Sequence, residues 1–252
     1  MSKTKIEYVD LTINPMVGCS KCSPGCDNCY AERMAARLSK NPLTAAKYAG
    51  VVDANGKWTG QINFDLSCFD KLPKKPQRIF IGSMTDIFLQ KIEEADGSLK
   101  TCLPQLWEKF NQYHQHIFIL LTKRPENMKT WIDFIFEVLT DMLENNVWLG
   151  VTACNRDELH KLDTLRQTPA AKRFVSFEPL LGDVGSINLS GIDWVICGGE
   201  TGPGARPMHP DWVRSLRDQC HSAEVPFFFK GMIENGKKTR LLDGREWNEV
   251  PE

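Results

Sequence analysis

The stretch Ile117-Phe118-Ile119-Leu120-Leu121-Thr122-Lys123-Arg124-Pro125 decides the fold class. Its apolar run shows no polar alternation, the pattern of a strand buried on both faces in a parallel sheet covered by helices. Polar Thr122, Lys123 and Arg124 follow at once, and Pro125 punctuates the turn beyond. Trp194-Val195-Ile196 repeats the theme. Working outward, β-rich runs predict strands at Tyr8–Ile13, Gln61–Phe64, Arg78–Ile81, His116–Leu121, Val147–Val151, Arg173–Phe177, Trp194–Cys197 and Pro226–Phe229. Helices are predicted at Cys29–Leu38, Cys102–Tyr113, Ile132–Leu143 and Asp211–Cys220. In the second of these, Leu103, Leu106, Trp107 and Phe110 recur at the helical period.

Strands alternating with helices over 252 residues match a full or partial (β/α) barrel of about 6–8 parallel strands. An open doubly wound sheet is the alternative, because strand number alone does not specify closure. Residues 40–75 are less regular and are predicted to form an insertion, with a turn at Asp53-Ala54-Asn55-Gly56. Polar residues follow one predicted strand after another. Gly82-Ser83-Met84-Thr85-Asp86 follows Ile81, Thr152 follows Val151, Glu178-Pro179 follows Phe177, Gly198-Gly199-Glu200 follows Cys197, and Lys230 follows Phe229. In barrels and doubly wound sheets alike, that carboxyl end is where sites are built.

Composition sets the outer bounds. Apolar content of 42% and charged content of 25% are those of a soluble globular chain, and the net charge of −1 supplies no global field for nucleic acid or anionic membrane. No stretch approaches the roughly 20 apolar residues of a membrane span, and the N-terminus lacks a secretory apolar core. The expectation is a cytoplasmic protein without a membrane partner. Nine cysteines are many for that compartment, and the odd number argues against a simple disulfide framework.

Four of the nine fall together in Gly18-Cys19-Ser20-Lys21-Cys22-Ser23-Pro24-Gly25-Cys26-Asp27-Asn28-Cys29-Tyr30-Ala31. Clustered thiolates on one loop hold zinc or an iron–sulfur cluster. Cys22, Cys26 and Cys29 give C-x3-C-x2-C, whereas Cys19, Cys26 and Cys29 give C-x6-C-x2-C. Either set supplies three thiolates, and a cubic cluster held by three keeps one iron without a protein ligand. All four would suit a Cys₄ zinc site, although zinc ligand pairs are more often a dozen or more residues apart. A helix beginning at Cys29 turns its N-terminal amides toward the anionic site. Cys68, Cys102, Cys154, Cys197 and Cys220 are scattered and read mostly as small buried hydrophobes.

The C-x3-C-x2-C spacing resembles radical S-adenosylmethionine (SAM) enzymes. Asn14-Pro15-Met16-Val17-Gly18-Cys19 with Gly25-Cys26-Asp27-Asn28-Cys29-Tyr30-Ala31 resembles, more closely, the first loop of their spore-photoproduct-lyase-like branch. The chain as a whole resembles a phage-associated three-cysteine-motif family of unassigned function. That likeness is carried by Gly82–Phe88, Leu121–Pro125, Trp148–Val151, Ser176–Leu181 and Gly198–Pro207. The resemblance implies one α/β domain over residues 1–252, with Cys19, Cys26 and Cys29 as preferred ligands of a [4Fe-4S] cluster and Cys22 the alternative first ligand. It implies cleavage of SAM to a 5′-deoxyadenosyl radical that abstracts hydrogen from an unknown substrate, with nucleic acid or a nucleoside the class to test, and an electron donor as partner. Lys123 or Arg124 would pair with the SAM carboxylate, and Ser83, Thr85 and Asp86 would hydrogen-bond its amino group or ribose. Lys123, Glu178 and Glu200 are the catalytic candidates, with Arg206 and Lys230 beside them at the substrate end. Asn28 departs from the aromatic residue that many such loops carry before the last cysteine. Gly198-Gly199-Glu200 comes too late in the chain to match the SAM-binding Gly-Gly-Glu segment of those enzymes.

Plainer readings stand beside these. Lys123-Arg124 also fits an ordinary strand-end turn with solvated charges, and Gly198–Gly204 a glycine-rich turn. The five histidines show no metal-ligand spacing, and the tryptophans at helical positions read as core. The competing function is a non-catalytic, zinc-stabilised phage-associated binding protein.

Overall fold

The computed structural model describes residues 4, 6–90, 97–138, 146–234 and 236–252. Its strands are β1 Leu11–Ile13, β2 Met16–Val17, β3 Asn63–Phe64, β4 Arg78–Ile81, β5 Ile117–Thr122, β6 Val147–Thr152, β7 Lys172–Phe177, β8 Trp194–Gly198, β9 Phe227–Glu234 and β10 Lys237–Thr239. Helices are α1 Tyr30–Leu38, α2 Gly97–Gln112, α3 Pro125–Val138, α4 Lys161–Gln167 and α5 Pro210–Ser222. An eight-stranded sheet runs in the order β1-β4-β5-β6-β7-β8-β9-β10, parallel throughout except for the antiparallel β10 at its edge. Strand order thus follows chain order with no reversal. Among the described residues no helix is long and apolar enough to cross a membrane.

Closure is corrected. Among the described residues no ladder joins β1 to β9 or β10, so of the full or partial barrel expected the closed form is not present. The sheet is nevertheless curled. The ring of Tyr8, just ahead of β1, lies 6.5 Å from Phe80 of β4 and also 5.1 Å from Trp194 of β8 and 5.5 Å from Phe228 of β9. Side chains cross the seam where backbone does not: Glu7 pairs with Lys238 and Arg240 at 3.6 Å.

The uninterrupted apolar runs now have a cause, because alternate residues of each strand enter two different cores. Phe80, Ile119, Trp148, Phe174, Trp194, Ile196 and Phe228 meet Tyr8 and Val9 on the concave face. Ile79, Phe118, Leu149, Val175, Val195 and Phe229 point the other way, onto Leu106 and Phe110 of α2, Trp131 and Ile135 of α3, Leu165 of α4 and Leu216 of α5. Gly150 allows the inner core to close, since a Cβ there would stand 2.3 Å from the Phe174 ring. The C-terminal segment seals the lower end. Glu249 accepts from Trp194 Nε1 at 2.9 Å through its carbonyl, and Val250 packs on the inner cluster.

Other differences are local. Residues expected as the strand Gln61–Phe64 leave the main sheet, because Asn63–Phe64 pairs antiparallel with Met16–Val17 instead. Helix α3 begins at Pro125 rather than Ile132, with proline at the first helical position where its missing N–H costs nothing. The tail of that predicted helix, beyond Val138, lies outside the described residues. Helix α4 escaped prediction because it is short, with only Leu162 and Leu165 as apolar markers.

Candidate active site

A cavity of about 250 Å³ opens at the carboxyl ends of the parallel strands, under the cysteine loop. Cys19, Cys26 and Cys29 line it, together with Ser83, Thr85, Asp86, Lys123, Arg124, Glu178, Glu200 and Lys230. Cys22 is exposed and is not part of the lining. Sequence-predicted residues from beyond four strands, from within β9 and from the cysteine loop therefore share a single chamber.

The loop is fastened on three sides. After β1, Asn14 Oδ1 accepts from Ser83 Oγ and from the Met84 amide, both at 3.1 Å. Gly18 donates its amide to the Met84 carbonyl at 3.1 Å, and Thr85 Oγ1 donates to the Gly18 carbonyl at 2.6 Å. Gly18 is required there: its φ is +107°, and a Cβ would fall 1.9 Å from the Gln61 carbonyl oxygen. Tyr30, immediately after the last cysteine, donates its hydroxyl to the Ser83 carbonyl at 2.8 Å.

The second fastening is Arg124. It pairs with Asp86 at 3.1 Å and donates to both the carbonyl and the hydroxyl of Ser20 at 2.9 Å. Buried Asp86 also accepts from Thr122 Oγ1 at 2.7 Å and from the Lys123 and Phe88 amides at 3.1 Å. Asp86, Arg124 and Thr85 thus hold the loop rather than face the chamber with free groups. Lys123 differs from its neighbour: among the described residues its ammonium has no hydrogen-bond or ion-pair partner, although it lines the cavity.

The third fastening is a latch from the segment after β8. Arg206 grips Glu200 through its amide, Nε and Nη2, and reaches the Pro24 carbonyl at 2.8 Å and Asp27 at 3.3 Å. Asn28, the residue that departs from the aromatic pattern, donates to Glu200 at 2.9 Å and to the Gly204 carbonyl at 2.8 Å. Burial alone would raise the Glu200 pKa, but bonds from Arg206 and Asn28 outweigh it and hold the carboxyl down to about 2. Glu178 and Lys230 form a separate pair within the chamber, with both carboxylate oxygens 2.6 and 2.7 Å from the ammonium.

Thiol electrostatics are uneven. A bond from the Cys22 thiol favours the Cys26 thiolate and lowers its pKa, with help from the Ser23 amide and Lys123, while Cys22 as donor is raised. Burial, then the Asp86 carboxylate, pushes Cys19 up to about 12. Burial works against the Lys123 charge, yet Cys26, Cys154 and Asp86 hold its pKa above the ordinary value. No disulfide joins the described cysteines. Among the described residues no group of three or more His, Cys, Asp or Glu side chains could hold a metal ion as placed. A four-sulfur zinc site needs every sulfur about 2.3 Å from one point; a cluster several atoms wide takes thiolates from a broader ring. Three thiols on the cavity wall, with a cation beside them, fit the second demand in donor type and charge.

Sequence reasoning overlooked Tyr8 and Trp58, which also line the cavity, and Cys154, whose buried thiol lies 3.8 Å from Ser23 Oγ against the cysteine loop. Tyr8 precedes the first strand rather than following one, so strand-end logic could not flag it. Cys154 stands two residues past β6, where the same logic could have.

The features assembled so far define a curled α/β protein with a thiol-rich chamber at the carboxyl ends of its strands. The chain belongs to the family described as "Protein of unknown function (DUF5131)", whose profile matches residues 3–251. No curated protein and no solved structure matches it significantly.

Proposed function

We propose that this is a radical SAM-type enzyme on a partial (β/α) barrel, with Cys19, Cys26 and Cys29 as the ligands of a [4Fe-4S] cluster. One observation carries the reading: these three thiols line the strand-end chamber while Cys22 stands outside it. Three ligands are the number that leaves one iron open to a small molecule. When bound, cluster and SAM together supply a 5′-deoxyadenosyl radical for hydrogen abstraction. The chain's own residues have simpler tasks. Lys123, unpartnered on the wall, neutralises an anionic group such as the SAM carboxylate. Arg124 is taken up by Asp86 and Ser20, so that task falls to Lys123 alone. Asp86, Arg124, Glu200 and Arg206 hold the cysteine loop in register and keep water from its inner side. The enzyme works in the cytoplasm with a one-electron donor.

Purification without oxygen tests this directly. The expected product is brown, with about four irons and four sulfides per chain, and after reduction it converts SAM to 5′-deoxyadenosine. Colourless protein carrying stoichiometric zinc overturns the proposal. Cys19→Ala should lose iron and Cys22→Ala should keep it; the reverse pattern would reassign the first ligand.

A further inference from the structure

Beneath the cysteine loop the concave face of the sheet changes character. Alternation along β6 places Gly150 and Thr152 on the same face as Trp148, and along β7 places Ser176 and then Glu178 above Phe174. Thr152 and Ser176 are register partners on adjacent strands, both 0% exposed, and neither hydroxyl oxygen has a hydrogen-bond partner. The Tyr8 ring closes the floor against Trp194 and Phe228. Its residue is 3% exposed and lines the cavity, and among the described residues its hydroxyl makes no hydrogen bond. Lys230 of β9 sits 5.6 Å over that ring and completes the wall with Glu178. A Cβ on Gly198 would meet Lys230 and Glu178 at 3.2 and 3.5 Å, so β8 shares the same level.

Buried polar groups in native proteins are nearly always satisfied, so the unpartnered hydroxyls of Thr152 and Tyr8 on the cavity lining mark a place for something else. Each hydroxyl both donates and accepts, and the group that best complements a set of them is another hydroxyl. Glu178 and Lys230 cancel one another, leaving this level of the chamber neutral, in contrast to Lys123 above it. Phe80 and Leu121 face it with apolar surface. From this juxtaposition we propose that Thr152, Tyr8 and the Glu178–Lys230 pair, which all line the cavity, form the substrate subsite, and that it takes an uncharged, hydroxylated sugar ring, free or as part of a nucleoside. The assignment deepens the proposed function by naming a substrate class for the same chamber, but the subsite itself is defined by groups that are not cluster ligands.

Ligand-detected NMR and calorimetry on the anaerobically purified protein, with saturating SAM present, test it. The probes are methyl β-D-ribofuranoside, uridine and 2′,3′-dideoxyuridine. Uridine is expected to bind at least tenfold more tightly than its dideoxy analogue, with the methyl riboside showing whether the sugar suffices. Thr152→Val removes an orphaned hydroxyl, so it should leave the melting temperature of the free protein unchanged or raised while weakening uridine about tenfold. A purely structural role would lower the melting temperature instead. Equal binding of uridine and its dideoxy analogue, displacement of the probes by SAM, or no binding by any probe overturns the proposal. Sugar binding by protein that never forms 5′-deoxyadenosine would sink the enzymatic reading and leave the subsite standing.

Discussion

Lys123 and Arg124 are adjacent cations after the same strand, and either could take the same anionic partner on position alone. Folding does so. Arg124 points to Asp86 and Ser20 and becomes a fastening, whereas Lys123 keeps an unpartnered ammonium on the chamber wall. Under the proposed function, Lys123→Met is therefore expected to leave iron content intact while weakening SAM binding about tenfold or more, measured by equilibrium dialysis. Arg124→Met should instead lower iron retention, because it frees Ser20 and leaves a buried carboxylate without its cation. Gly150 offers a second single-residue test, with no functional assumption behind it. A methyl group there meets the Phe174 ring at 2.3 Å, and both neighbours are packed. Gly150→Ala should destabilise the fold by roughly 1–3 kcal/mol in urea denaturation.

At the scale of elements, the carboxyl-end logic was legible because parallel strands announce themselves as unbroken apolar runs and stop abruptly at polar residues. Ser83, Thr85, Asp86, Lys123, Glu178 and Glu200 follow strands in that way and line the cavity, whereas Lys230, expected just past a strand, lies inside β9, which runs on to Glu234. Their assignments within the site were not legible, because hydrogen-bond partners lie far away in sequence. Glu200 illustrates the point: it is 172 residues from Asn28, yet the two are bonded, and no local pattern reports it. The same distance hid the fate of Gln61–Phe64, which reads as a strand but finds its partner in Met16–Val17 rather than in the main sheet. The latch also makes a pH prediction. The Glu200 carboxyl is depressed to about 2 in the folded protein, against an unperturbed value near 4.3, so its contribution is present above that unfolded value. It is lost as pH falls from about 4 toward 2. Glu200→Gln should be less stable than the parent by about 1–2 kcal/mol at neutral pH, with the gap narrowing in acid, as followed by denaturant melts.

For the whole molecule, chain length and alternation pointed to a barrel, but closure depends on a seam that sequence does not encode plainly. Here the ends of the sheet meet through Tyr8, Glu7, Lys238 and Arg240 rather than through a ladder. The last residues matter for the same reason. Trp247 and Glu249 bond to β9 and β8 through the Phe229 amide and Trp194, and Val250 lies against the inner aromatic cluster. Removing residues after Gly244 should uncover Trp194 and Phe228. The expected outcome is a large drop in melting temperature with new binding of a hydrophobic dye; a truncated protein that melts as the parent does would refute this view of the lower end.

The latch between Arg206 and the cysteine loop also orders events on the ribosome. The loop leaves the exit tunnel early, but Arg206, which bonds to the Pro24 carbonyl, follows 182 residues later. At about 5–20 residues per second that interval is roughly 9–36 s. Throughout it the nascent chain carries its thiols on a strap without this latch, open to oxidants, and the fastening from Arg206 becomes available only when the last fifth of the chain is being made.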